Sequence, residues 1–174
     1  MEKPILIVVG TRPDALKLLP VYQVLRQRGV PVLLCATNQH STLLEQVFQL
    51  FDVSPDIQLH VMQAHQTLEH ITASVLTKCA DVIKTLRPSL VLVQGDTSSS
   101  YAAALAAYYN HVPVAHVEAG LRTGNINAPF PEEINRIFIG KIASLHFAPT
   151  PLNVANLLDE GVHHTRVLDR KSVV

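Results

Sequence analysis

The sequence predicts an α/β domain built on a doubly wound parallel sheet, and three observations carry that expectation. Short apolar runs alternate with longer amphipathic ones along the chain, and strand-then-helix units repeated in this way give parallel sheets covered by helices on both faces. The clearest of the apolar runs admit no polar residue before their end, as strands buried on both faces require. Four of them are followed by small groups of polar residues, which in such a sheet fall along one rim.

Taken in order, Ile5–Val9 is a continuous β-branched and leucine run ended by Gly10, a buried strand. Residues 14–28 carry Leu16, Leu19, Val21, Val24 and Leu25 at near-helical spacing, and Gly29 stops the helix. A strand follows at Val32–Ala36, a helix over residues 42–51, and a short strand over 57–61. The long helix Leu68–Leu86 must end before Pro88. Leu90–Gln94 is apolar until its last residue, and residues 98–110 form an alanine-rich helix slim enough to lie close against a sheet. Residues 112–117 are a strand, 121–130 a loop and 131–144 a helix; Leu145–Ala148 and residues 151–160 add one more strand and helix. Residues 165–168 begin a further strand, which Asp169, Arg170 and Lys171 are expected to interrupt. The domain is therefore expected to span residues 1–168, with 169–174 an irregular tail.

Length and composition narrow the function. At 174 residues the chain fits one domain or one lobe of a larger protein. With 48% hydrophobic and 16% charged residues it can bury a core. Fourteen basic residues balance fourteen acidic ones, which argues against a nucleic-acid or membrane-surface partner but leaves a local anion site open. Cys35 and Cys79 have no partner at metal-ligand or redox spacing and read as small buried hydrophobes of a reducing compartment. Residues 4–9 are too few for a signal-peptide core, and no segment approaches the roughly 18 apolar residues of a membrane helix. A cytoplasmic location is the expectation. The nine histidines form neither an HExxH motif nor a Cys/His cluster, so no metal site is expected.

The polar rim holds Gly10, Thr11 and Arg12, then Thr37, Asn38, Gln39 and His40, then Gln94, Gly95, Asp96 and Thr97, and lastly His116, Val117 and Glu118. Helix capping accounts for Thr11, Pro13 and Asp14. It does not account for Arg12 or for Lys17 one turn later, because cations near a helix N-terminus oppose its dipole. An anionic ligand there gains from both cations and from the free amides. Asp96 and Glu118 each follow a buried strand, where a carboxylate is either bonded to loop amides or available for proton transfer. Glu132 and Glu133 open the helix that carries Asn135 and Arg136. Acids in a first turn favour the dipole, so at least one of them reads as structural, the other being free to face the rim. Arg136 has the spacing to pair with Glu132 one turn earlier, and Gly120 and Gly124 allow the preceding loop to move.

Five stretches, Gly10-Thr11-Arg12-Pro13-Asp14-Ala15-Leu16-Lys17, Gln39-His40, Gly95-Asp96-Thr97, His116-Val117-Glu118-Ala119-Gly120-Leu121-Arg122-Thr123 and Pro131-Glu132-Glu133-Ile134-Asn135-Arg136, together resemble the bacterial non-hydrolysing UDP-N-acetylglucosamine 2-epimerases. The similarity runs from the first strand to about residue 160, and GTRP, GDT, HVEAGLRT and PEExNR in this order are specific to it. The resemblance implies the Rossmann-like N-terminal domain of a GT-B-type two-domain fold, with the active site between the domains. It implies interconversion of UDP-N-acetylglucosamine and UDP-N-acetylmannosamine, by elimination of UDP across C1–C2 and re-addition with C2 inverted, without a nicotinamide cofactor or metal. The family's substrate-side residues map onto Arg12, Lys17, Asp96, Glu118 and Glu132. The three carboxylates are candidates for proton transfer and the two cations for the diphosphate; which carboxylate does which step is open. Gln39 and His40 match a stretch that in some members contacts a second, activating UDP-N-acetylglucosamine. The expected setting is cell-surface polysaccharide biosynthesis, with a homodimeric parent.

Two departures accompany the resemblance. Asp14 stands where the family usually has glutamate, a shortening that still permits capping. The second domain, with its uridine and diphosphate pocket and a histidine implicated in the chemistry, has no counterpart in the 174 residues. A truncated chain, weak or inactive alone, is therefore expected. A hydrolysing epimerase or glycosyltransferase on the same scaffold and a non-catalytic remnant are the alternatives.

Overall fold

The structure is a computed structural model and describes residues 2–37, 41–61 and 66–169. Its elements are β1 (Ile5–Val9), α1 (Arg12–Gln27), β2 (Val32–Ala36), α2 (Ser41–Leu50), β3 (Ile57–Gln58), α3 (Leu68–Leu86), β4 (Leu90–Gln94), α4 (Ser98–Tyr109), β5 (Val114–Val117), α5 (Glu132–Ile142), β6 (Leu145–Ala148), α6 (Pro151–Asp159) and, after a 3-10 turn at His164–Arg166, β7 (Val167–Asp169). The strands form one parallel sheet in the order β3-β2-β1-β4-β5-β6-β7. The order reverses between β1 and β4, and ligands of open α/β sheets bind at such a switch point, outside the strands' carboxyl ends.

Alternate residues of each strand feed two cores, because successive strand side chains point to opposite faces. Leu6, Val8, Val91 and Val93 pack with Val75, Cys79, Ile83 and Ile139 beneath α3, α4 and α5. Ile7, Val9, Leu34 and Leu92 pack with Leu18, Leu19 and Leu44 beneath α1 and α2. The sheet is thus wound on both sides, as expected. The alanines of α4 explain its close approach: Ala102, Ala103, Ala104, Ala106 and Ala107 are wholly buried. A Cβ on Gly10 would sit 2.6 Å from that of Ser99, so the turn out of β1 lies directly against α4. Cys35 and Cys79 are both buried and unbridged.

Element ends differ from expectation for local reasons. The strand expected over 57–61 keeps only Ile57–Gln58: His60 takes a left-handed φ of 47°, which breaks the extended run. β5 begins at Val114 and not at 112, since Pro113 has no N–H for a ladder and contributes only its carbonyl, to Val91 N at 2.9 Å. α1 begins at Arg12, two residues early. Asp169, expected to interrupt the last strand, pairs in register with Ala148.

Candidate active site at the sheet's switch point

The turn from β1 into α1 is built around Asp14. Its Oδ2 accepts the amides of Gly10 and Thr11 at 3.0 Å each, the carboxylate half of a capping box on Thr11. Burial holds the Asp14 carboxyl above its ordinary value, against the lowering effect of those amides. Arg12, the first residue of α1, is exposed and has no ion-pair partner among the described residues. Lys17, one turn on, reaches across the switch point, and its Nζ lies 2.6 Å from Oε2 of Glu118.

Glu118 follows β5 with a φ of +67°. A non-glycine residue in this region is strained and persists where its surroundings fix it. Here the fixing groups are Lys17 and the Gln94 side-chain amide, which also donates to Oε2. Gln94 is the single polar residue of β4, buried at its last position.

Asp96 lies in the turn after β4. Its carboxylate meets Arg136 Nη2 at 2.6 Å, and its carbonyl accepts Asn135 Nδ2 at 2.9 Å. Burial raises the Asp96 carboxyl above its ordinary value; Arg136 pulls it down, and Glu132 and Glu118 push it up again. Beneath this turn His116 Nε2 donates to Gly95 O at 2.7 Å, since a carbonyl can only accept. Its burial pushes the ring's pKa down to about 4.

The paired glutamates at the start of α5 separate in role. Glu132 is partly exposed and meets no cation among the described residues. Glu133 is 1% exposed, and its Oε1 accepts the amides of Thr123 and Gly124 at 2.9 and 3.1 Å. The loop that the sequence suggested to be mobile is therefore anchored midway. Arg136 does not pair with Glu132, as its spacing suggested, but with Glu133 at 3.5 Å and with Asp96. Arg122 of the same loop makes a bidentate pair with Glu160 at 2.5 and 2.9 Å, which ties the loop to the end of α6.

Arg12, Lys17, Asp96, Glu118 and Glu132 thus occupy one rim, supplied by α1, by the turns after β4 and β5, and by α5. Gln39 and His40 lie outside the described residues. A groove of about 300 Å³ opens beside Lys17 and Glu118, walled by Val117, Phe147, Pro149 and Leu168. A wider hollow of about 700 Å³ lies at the opposite end of the strands, between Lys3, Arg87 and His111, away from this chemistry. The sequence did not single out Gln94, Asn135 or Glu133 for what they do. Its signals were the lone polar residue ending an apolar strand, and polar residues one turn past Glu132. Among the described residues no helix is long and apolar enough to cross a membrane, and no group of three acidic, histidine or cysteine side chains is placed to hold a metal ion.

A sequence model described as UDP-N-acetylglucosamine 2-epimerase matches residues 23–170. The UDP-N-acetylglucosamine 2-epimerase of Campylobacter jejuni is 46% identical over 162 residues, covering 92% of this chain and 42% of that protein. The crystal structure of the Neisseria meningitidis UDP-GlcNAc 2-epimerase bound to UDP-GlcNAc superposes with a TM-score of 0.91 at 41% identity, over 95% of this chain and 46% of that one. The Methanocaldococcus jannaschii enzyme in complex with UDP-GlcNAc and UDP gives 0.90 at 34% identity, again over 95% and 46%. The chain spans less than half the length of each of these relatives. A match over most of the chain, on a scaffold that gathers the same polar motifs at one sheet edge, makes it a member of the UDP-N-acetylglucosamine 2-epimerase family.

Proposed function

We propose that this chain is the sugar-handling half of an enzyme that interconverts UDP-N-acetylglucosamine and UDP-N-acetylmannosamine. The single observation behind the proposal is the gathering of three carboxylates and two cations from separate elements at the switch point. In the reaction a base takes the C2 proton while the C1–O bond to UDP breaks, leaving a 2-acetamidoglucal and free UDP. UDP then adds back to C1 as an acid delivers a proton to the other face of C2. Both halves need a carboxyl group that changes protonation state near neutral pH. Asp96, which burial raises and Arg136 lowers, and Glu118, which accepts from Lys17 and Gln94, are the two carboxylates placed to give and take that proton. Glu132, whose charge acts on Asp96, is the third carboxylate. Arg12 and Lys17, at the N-terminal end of α1, offset charge on the departing diphosphate. The groups needed are all organic acids and bases, so neither a nicotinamide nor a metal enters the scheme.

In this reading the rest of the nucleotide is bound by a second domain outside these residues, in a homodimeric cytoplasmic enzyme serving polysaccharide synthesis. Gln39 and His40 would belong to a second, activating substrate site. The test is incubation of the two-domain protein with UDP-N-acetylglucosamine in D2O. Deuterium at C2 with the nucleotide retained is the expected result, and Asp96→Asn or Glu118→Gln should slow exchange by roughly 10²-fold or more. Free sugar and UDP, with no epimerised nucleotide sugar, would show a hydrolysing epimerase instead.

A further inference from the structure

Glu133 is more deeply buried than any carboxylate of the proposed proton-transfer set, and its two oxygens are committed differently. Oε1 accepts the amides of Thr123 and Gly124. Oε2 has no hydrogen-bond partner among the described residues and faces Arg136 Nη1 at 3.5 Å. The other end of the same guanidinium lies 2.6 Å from Asp96. We propose that Glu133 is a positioning residue: one oxygen fixes the loop over the site, while the other holds Arg136 and divides its charge between a buried acid and Asp96. The inference rests on reading Asp96 as a proton-transfer group.

The physical consequence has a definite sign. A cation shared with a second carboxylate stabilises the charged form of Asp96 less than one devoted to it. The negative charge of Glu133 behind Arg136 adds in the same direction. The remaining charges facing Asp96 are Glu132 on α5, Glu118 after β5 and Asp14 on α1; Lys17 acts through Glu118. None of these is altered by a change at Glu133. Glu133→Gln keeps an oxygen for the loop amides and replaces the charged oxygen facing Arg136 with an NH2 group that cannot accept from it.

The experiment is a carboxyl-carbon NMR titration of Asp96 in this chain, which needs no turnover and so separates this inference from the proposed reaction. In E133Q the Asp96 midpoint should fall by about half a pH unit or more, with the Thr123 and Gly124 amides still protected from exchange. A folded E133Q with an unmoved Asp96 midpoint would overturn the proposal, leaving Glu133 a loop anchor alone. If E133Q does not fold, Glu133→Asp decides. It keeps the charge but draws it back from Arg136 and from the loop, so the Asp96 midpoint should fall by less than a full loss of the charge would give, while the two amides exchange faster. An unmoved midpoint would overturn the sharing of Arg136, and protected amides would overturn the loop role. In the two-domain protein the acid limb of kcat/KM should follow the NMR midpoint downward in E133Q. An NMR shift without that movement would count against Asp96 as a proton-transfer group, and not against the positioning.

Discussion

Gly120 shows how little latitude single residues have near the rim. Its φ is +87°, and a Cβ there would lie 2.2 Å from the carbonyl oxygen of Asn153, while its own carbonyl accepts Asn156 Nδ2 at 2.9 Å. Gly120→Ala combines a disfavoured backbone with a backbone clash and is expected to destabilise the fold by on the order of 2–4 kcal/mol, read as a drop in the urea midpoint. At this scale the sequence was partly transparent. Residues that end strands in a parallel sheet must sit on one edge, so Arg12, Asp96 and Glu118 were legible from the strand pattern alone. Partner choice was not. Arg136 had Glu132 at helical spacing, yet took Asp96 and Glu133, because pairing across elements depends on where α5 docks and not on its own periodicity. Lys17 likewise reaches a carboxylate 101 residues away.

At the scale of elements, β5 and β6 carry an acid-sensitive feature. His116 and His146 face each other in register and are both buried. Burial is the main cause that pushes both pKa values down to about 4. An unfolded chain takes up these protons near pH 6.5, so folded stability is intact above that pH and is lost as pH falls toward 4. Asp14 and Asp96, raised in the fold, act in the opposite sense, so the histidine effect has to be isolated by comparison. Wild type should lose about 1 kcal/mol per pH unit relative to His146→Met between pH 6.5 and 4, measured by urea unfolding at each pH; parallel curves would show that His146 is not held neutral. The elements themselves were largely legible, since continuous apolar runs and helix stops mark them locally. The exceptions are instructive. The left-handed turn at His60 has no glycine to announce it, and β7 extends to Asp169 only because β6 offers an edge to pair with.

At the scale of the whole molecule, the rim is an open edge and not an enclosed site, with a groove walled by Val117, Phe147 and Leu168 beside it. Under the proposed function, orientation and exclusion of water are shared with the second domain. This chain alone should therefore turn over UDP-N-acetylglucosamine at least roughly 10²-fold more slowly than the two-domain protein, compared side by side by chromatography of the two nucleotide sugars; equal rates would remove the need for a second domain. The contact between Lys17 and Glu118 has a bearing on that sequence of events. The ammonium and the acid satisfy one another. Under the proposed function an incoming diphosphate would compete for the same ammonium, and each share it won would be withdrawn from Glu118, whose remaining donor is the neutral amide of Gln94. On that reading, arrival of the leaving group would free Glu118 to take a proton, and the site would be armed only when there is something to act upon.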